Sequence, residues 1–253
     1  MFRKFVPLLP ALLLLSGFAL GYVQPVGLLI GALYVAWVLY GERYIPWLPW
    51  SLASLIVSLA LAAHLLPGTI SWTLWPMRQM SQDAPAYALQ LSWDKALVGV
   101  TLLAWWLRRP RPSEPASTDF ATLTVVTTLF AVPLLAVASG MVVWNPKWPE
   151  GFWLWMAVNI GVISLAEEGV FRGLLQTMLV QRLGPFGGVF AASALFGLVH
   201  LPISPLFALV AGVAGLGYGL AFHFSGRLVV PVLLHGAVNC LHLLLFSYPL
   251  RIV

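Results

Sequence analysis

Residues Trp153–Val180 read WLWMAVNIGVISLAEEGVFRGLLQTMLV. The run is long and apolar enough for a membrane span, which takes about 20 such residues, yet it contains Glu167, Glu168 and Arg172. Charge at membrane depth costs roughly 2.5–3.5 kcal/mol per residue on insertion scales, so each of the three needs a partner or a task. In a helix, Glu168 and Arg172 are four apart with the acid toward the amino end, the favoured order for a side-chain pair. Glu167 is turned about 100° from Glu168 and lies five residues from Arg172, so the same guanidinium serves it less well. One reading leaves Glu167 available for chemistry. The other ties both acids and the arginine into a buried knot between helices, which need confer no activity. The three residues alone do not choose.

The rest of the chain sets the class. Of 253 residues, 60% are hydrophobic and 8% charged, with a mean hydropathy of +0.92. A water-soluble globule of this size needs more polar cover. The expected fold is all-α, a polytopic transmembrane helical bundle. Further apolar runs at about 5–20, 26–40, 50–66, 95–107, 120–144, 186–201, 205–224 and 229–246 bring the number of spans to eight or nine. The first is read as a retained helix, since no small-x-small cleavage pattern follows it.

An amino terminus in the cytoplasm places Arg3, Lys4, Arg43, Arg108, Arg109, Arg111, Arg182 and Arg227 on the cytoplasmic side, against Arg78, Lys147 and Arg251 opposite, with Lys95 at that boundary. This asymmetry fits the positive-inside rule. The net charge of +5 comes from small basic groups between apolar runs, which excludes a nucleic-acid-binding stripe. Arg108–Asp119, RRPRPSEPASTD, reads as a loop because prolines break helices. It separates accessory helices, residues 1–119, from a core of residues 120–253 that holds nearly all the unusual polar groups. Ser71–Trp93 mixes aromatic and polar residues and reads as interfacial. The 12 tryptophans mostly fall near span ends and read as interface anchors. Cys240, the one cysteine, rules out an internal disulfide and reads as a small buried residue. The glycines of AGVAGLGYGL, Ala211–Leu220, read as packing contacts.

Two later stretches weigh on the question left by the glutamates: FGLVH, Phe196–His200, and HGAVN, His235–Asn239. A turn near Gly184 leaves Glu167 17 residues before it and His200 16 after it, so a helical hairpin brings them to similar depth. His235 and Asn239 are one helical turn apart and share a face. His242 lies on the same side and reads as a histidine bonded to a neighbouring helix. His64 and His223 fall at span ends.

Glu-Glu-x-x-x-Arg at Glu167, Glu168 and Arg172, Phe-x-x-x-His at Phe196 and His200, and His-x-x-x-Asn at His235 and Asn239, in order and in adjacent spans, resemble the CAAX prenyl protease and bacteriocin-processing family of intramembrane proteases. The resemblance covers roughly 152–246. It implies a glutamic-type endopeptidase in which Glu167 with His200 activates a water, His235 and Asn239 stabilise the oxyanion, and Glu168 and Arg172, with Phe196, support the site. The implied substrate is a membrane-associated protein or lipidated peptide cut near its carboxy terminus, and the implied setting is the lipid bilayer of the cytoplasmic membrane.

Glutamate, two histidines and an asparagine could also surround zinc. The His-Glu-x-x-His signature is absent, however, and asparagine is a poor zinc ligand, so no cofactor is expected. Ser193 and Ser225 lack a nucleophile-elbow setting. A transporter or scaffold would explain paired Glu and His as a proton relay, but no matching pair of broken helices is visible. Nothing in the sequence sets an oligomeric state.

Overall fold

A computed structural model describes residues 5–109 and 117–251. Arg3, Lys4 and Arg111, and the centre of the 108–119 loop, lie outside the described residues. The described chain is a helical bundle: α1 (Leu8–Ala19), α2 (Pro25–Tyr40), α3 (Trp47–Ala62), α4 (Trp93–Arg108), α5 (Thr118–Ala138), a composite helix Phe152–Leu198, α9 (Pro205–Ser225) and α10 (Val229–Leu245). The composite helix divides into α6 (Phe152–Val158), π1 (Asn159–Ser164), α7 (Leu165–Glu168), π2 (Gly169–Gln176) and α8 (Thr177–Leu198). Pro25–Arg43, Thr118–Ala138, Phe152–Leu198 and Pro205–Ser225 are long and apolar enough to cross a membrane, and α1, α3 and α10 are shorter apolar helices.

Whether eight or nine spans are counted depends on Gly184. There the backbone leaves the helix (φ 76°, ψ 173°) and Pro185 follows, so the chain reverses between the two limbs of Phe152–Leu198, at the place the sequence marks. The fifth span is shorter than its apolar run. It ends at Ala138, and Ser139 and Gly140 close it with amides returned to Leu135 and Val137. The remaining apolar residues to Trp144 form a loop that bridges Phe246. The boundaries of α9 follow from local chemistry: Ser204 Oγ accepts the Phe207 amide at 3.0 Å, Pro205 starts the helix, and Gly226 ends it in the left-handed conformation.

Two features were not legible. Ser71–Trp93, read as interfacial, contains a two-stranded antiparallel hairpin, β1 (Trp72–Arg78) and β2 (Tyr87–Leu91). Trp75 and Leu89 anchor it on Phe152, Trp155 and Tyr248, and Arg78 donates to the Glu150 carbonyl at 2.8 Å. The tryptophans, moreover, divide between two settings. Trp144, Trp148 and Trp153 are exposed as anchors should be, whereas Trp50, Trp75, Trp93, Trp105 and Trp155 are buried in the core. The glycine run of α9 does pack closely: a Cβ on the facing Gly197 would stand 2.7 Å from the Ala208 carbonyl oxygen.

α4 is the pivot between the two parts of the chain. Ala96, Leu97, Val98, Leu102, Ala104 and Trp105 are all buried, and Gly99 lies against the backbone of Ala166. The helix before the linker thus lines the segment that carries the two glutamates.

Candidate active site

The glutamates occupy a single α-helical turn, α7, between two π-helical segments. π-helix is rare and concentrates at functional sites because it re-aims side chains. Thr177 Oγ1 donates to the Arg172 carbonyl five residues back, at 3.1 Å, which satisfies an acceptor in the widened turn.

Glu168 and Arg172 are fully buried, with Nε 2.9 Å from Oε2. The pairing read from their spacing is therefore present as an ion contact, although the N–H does not point straight enough to count as a hydrogen bond. The terminal nitrogens of Arg172 have no hydrogen-bond partner among the described residues. The guanidinium lies instead over two rings, 5.1 Å from the centroid of Phe196 and 5.9 Å from that of Tyr218. The other oxygen of Glu168 takes His235 Nδ1 at 2.9 Å. His235 in turn stacks on Tyr218 at 4.8 Å and meets the edge of Phe196 at 6.0 Å. Phe196 is thus the hub of the support, touching Arg172, His235, Tyr218 and His200.

Glu167 is one fifth exposed, and it has a partner that the spacing of charges within its own run did not reveal. Lys95 Nζ, from the first turn of α4, is 3.4 Å from Oε1. Its second oxygen is 4.0 Å from His235 Nε2. The histidine that the structure sets beside Glu167 is therefore His235; no hydrogen bond or ion pair joins Glu167 to His200 among the described residues. His200 sits just past the end of α8, in the turn and not in the helix. Its Nδ1 is 2.7 Å from the Phe196 carbonyl oxygen. A carbonyl only accepts, so Nδ1 carries the proton and neutral His200 keeps a lone pair on Nε2. Asn239 Nδ2 donates to Asn159 Oδ1 at 3.1 Å.

A cavity of about 90 Å³ is lined by His200, His235, Asn239 and His242 together with Phe196, Tyr218 and apolar residues of α5 and α9. This is room for several waters. His242 Nε2 donates to the Ser247 carbonyl at 3.0 Å, so it is tied to the segment after its own helix and not to a neighbouring helix. His64 is bound to Asp94 at 2.6 Å and His223 packs on Phe186 at 5.8 Å; neither reaches the cavity. Lys95, Asn159 and Tyr218 are the site residues not singled out from sequence. Asn159 had a signal, an amide in an otherwise apolar stretch, and Lys95 had one in its place at the head of the short fourth run. Tyr218 had none beyond its glycine neighbours.

The family described as type II CAAX prenyl endopeptidase Rce1-like matches residues 149–241. These residues belong to the CAAX-protease family. A comparison with curated proteins and one with solved structures find no match. The matched stretch spans all three motifs, from Glu167 to Asn239, and is similar over those residues to a CAAX-type intramembrane protease in general terms. It stops short of Lys95, which the CAAX-protease core receives from α4.

Proposed function

We propose that the protein is a glutamic-type intramembrane endopeptidase in which Glu167 and His235 together activate a water. The observation that carries this reading is the 4.0 Å gap between Glu167 Oε2 and His235 Nε2. Two acceptors at that spacing are too far apart to bond directly, and one water can donate to both at about 2.8 Å each. Glu168 supports the arrangement by holding Nδ1–H of His235, which leaves Nε2 as the acceptor. Lys95 Nζ, 3.4 Å from Glu167 Oε1, supplies the carboxylate with a counter-charge.

In the reaction, the water oxygen attacks the scissile carbonyl carbon while its proton passes to the Glu167–His235 pair. The second amide hydrogen of Asn239, not used by Asn159, donates to the oxyanion, a contribution worth about 10²–10³ in rate for such a donor. The C–N bond breaks as a proton is delivered to the departing amine. His200, with Nε2 unbonded to protein, stands on the cavity wall to relay it. This division of labour differs from the one the family resemblance implies in giving the water-activating role beside Glu167 to His235, the histidine in ion contact with it. Among the described residues no three His, Cys, Asp or Glu side chains are grouped to hold a metal ion, and the proposed reaction needs none.

The substrate is a membrane-associated protein or lipidated peptide, cut near its carboxy terminus in the cytoplasmic membrane, with the amino terminus of the enzyme in the cytoplasm. The test compares new carboxy termini in the membrane proteome of cells carrying wild type or Glu167→Gln. Fragments present only with wild type support the proposal; identical sets of fragments overturn it.

A further inference from the structure

The first turn of α4 carries a second polar cluster, away from the cavity and outside the family-matched residues 149–241. Asp94 is 2% exposed, and no lysine or arginine pairs with it among the described residues. Its Oδ2 takes His64 Nδ1 at 2.6 Å and the Thr69 hydroxyl at 3.2 Å, and its Oδ1 accepts the Lys95 amide at 2.8 Å. A carboxylate only accepts, so His64 donates through Nδ1, and Nε2 faces the Ser92 hydroxyl at 3.4 Å. Ser92 stands at the N-cap of α4 but makes no capping bond with its side chain. Asp94 instead satisfies one of the free amides at the helix start.

His64 is an unusual residue for its place in the backbone. It follows the C-cap of α3, with its amide returned to Leu61 and the next amide, that of Leu65, returned to Ala60, the pattern of a Schellman ending. That ending needs a left-handed position, which glycine fills most readily. His64 nevertheless holds φ 58°, as the one non-glycine residue with positive φ among the described residues. Such a conformation persists where the surrounding structure holds it in place. The imidazole is half exposed and the carboxylate it bonds is buried, so the histidine serves the contact with Asp94 and not the helix end.

The next residue links this cluster to the candidate active site. Lys95, Gly99 and Leu102 are spaced four and three apart and share one face of α4. A Cβ on Gly99 would stand 3.0 Å from the Ala166 nitrogen, and one on Gly169 would stand 3.2 Å from Leu102. This face therefore lies on α7 and π2, and from it Lys95 Nζ meets Glu167 at 3.4 Å. Asp94, turned about 100° from Lys95, bonds the loop between α3 and β1. We propose that Asp94, held by His64 and Thr69, is a positioning residue for the reaction: it fixes the first turn of α4 so that Lys95 reaches Glu167. The loop after α3 thereby completes a site whose three motifs all lie within residues 149–241. The proposal rests on the protease reading above for its effect on cleavage, and on geometry alone for its effect on Lys95.

Two measurements separate those supports. The first needs no substrate. Purified full-length protein in lipid vesicles is acetylated at trace level with N-hydroxysuccinimidyl acetate, and mass spectrometry reads modification of Lys95 against that of Lys147. Asp94→Ala and His64→Gly are compared with wild type and with Glu167→Gln, which reports a Lys95 freed of its partner. Glycine suits the left-handed position, so His64→Gly keeps the end of α3 while removing the imidazole. A rise of about two- to fivefold in the Lys95-to-Lys147 ratio in both variants, toward the Glu167→Gln value, is expected for release of a partly exposed ion pair. A wild-type ratio in either folded variant overturns the proposal, and if Asp94→Ala does not fold, His64→Gly decides alone by the same criterion. The second measurement counts Glu167-dependent new carboxy termini in a membrane-protein fraction. Asp94→Ala should lower their rate by about fivefold alone and by less than about twofold in a Lys95→Met background, because two residues acting through one contact are not additive. Equal losses in the two backgrounds would make Asp94 a general support of the fold and overturn its action through Lys95. A lack of Glu167-dependent termini from wild type overturns the cleavage clause together with the protease reading, while acetylation decides independently whether Asp94 sets Lys95.

Discussion

Replacing Arg172 with methionine should destabilise the protein strongly, and the structure says by how much and why. Both partners of the Arg172–Glu168 contact are fully buried, 2.9 Å apart, so the substitution leaves a carboxylate in the core with His235 as its remaining partner. Stranding one member of a buried ion pair costs about 3–5 kcal/mol. At about 2–4 °C per kcal/mol for a chain of this size, Tm should fall by roughly 6–20 °C. Thermal unfolding of the purified protein in detergent, followed by tryptophan fluorescence, reads this directly. The mechanism makes a second demand. Glu168→Gln removes the stranded charge, so the double variant Glu168→Gln/Arg172→Met should recover more than half of the lost Tm while remaining inactive. If Arg172→Met melts with wild type, or if the double variant is as unstable as the single one, the buried pair is not what the charge is for.

Three further outcomes are expected. Lys95→Met should lower kcat/KM by about 5- to 150-fold, the equivalent of about 1–3 kcal/mol for a partly buried counter-charge, and Lys95→Arg should retain most activity; equal losses in both would make the role one of shape and not of charge. His200→Ala should abolish detectable cleavage with Tm within about 3 °C of wild type, because the ring lies in a turn at the cavity wall and not in the core; full turnover in this variant would remove His200 from the reaction. Incubation with a strong zinc chelator should leave cleavage unchanged, whereas loss of activity restored by added zinc would overturn the metal-free reaction.

What could be read from the sequence depended on whether the signal was local. The Glu168–Arg172 contact follows from a four-residue spacing on one helix, and the reversal at Gly184 from a Gly-Pro step, so both were legible. The π-helical segments around α7 were not, because Gly169–Gln176 has no composition that separates a wide helix from an ordinary one. Lys95 escaped because its contact with Glu167 is 72 residues away in the chain and depends on how α4 packs. The ion contact of His235 with Glu167 escaped for a related reason. Counting residues from Gly184 gives depth but not rotation, and rotation decides which ring meets the carboxylate. The hairpin at Trp72–Leu91 carries the aromatic and polar mixture of an interface, and its strand pairing is set by the core it covers.

The central claim is that Glu167 is the group through which water reaches the peptide bond. Purified wild type and Glu167→Gln, reconstituted in lipid vesicles, would be presented with the same membrane-protein fraction, and new carboxy termini counted by mass spectrometry in water enriched in ¹⁸O. Fragments bearing the heavy label at their new termini with wild type, and none with a folded Glu167→Gln protein, are predicted. Labelled fragments at the same sites and rates from both proteins would contradict the account.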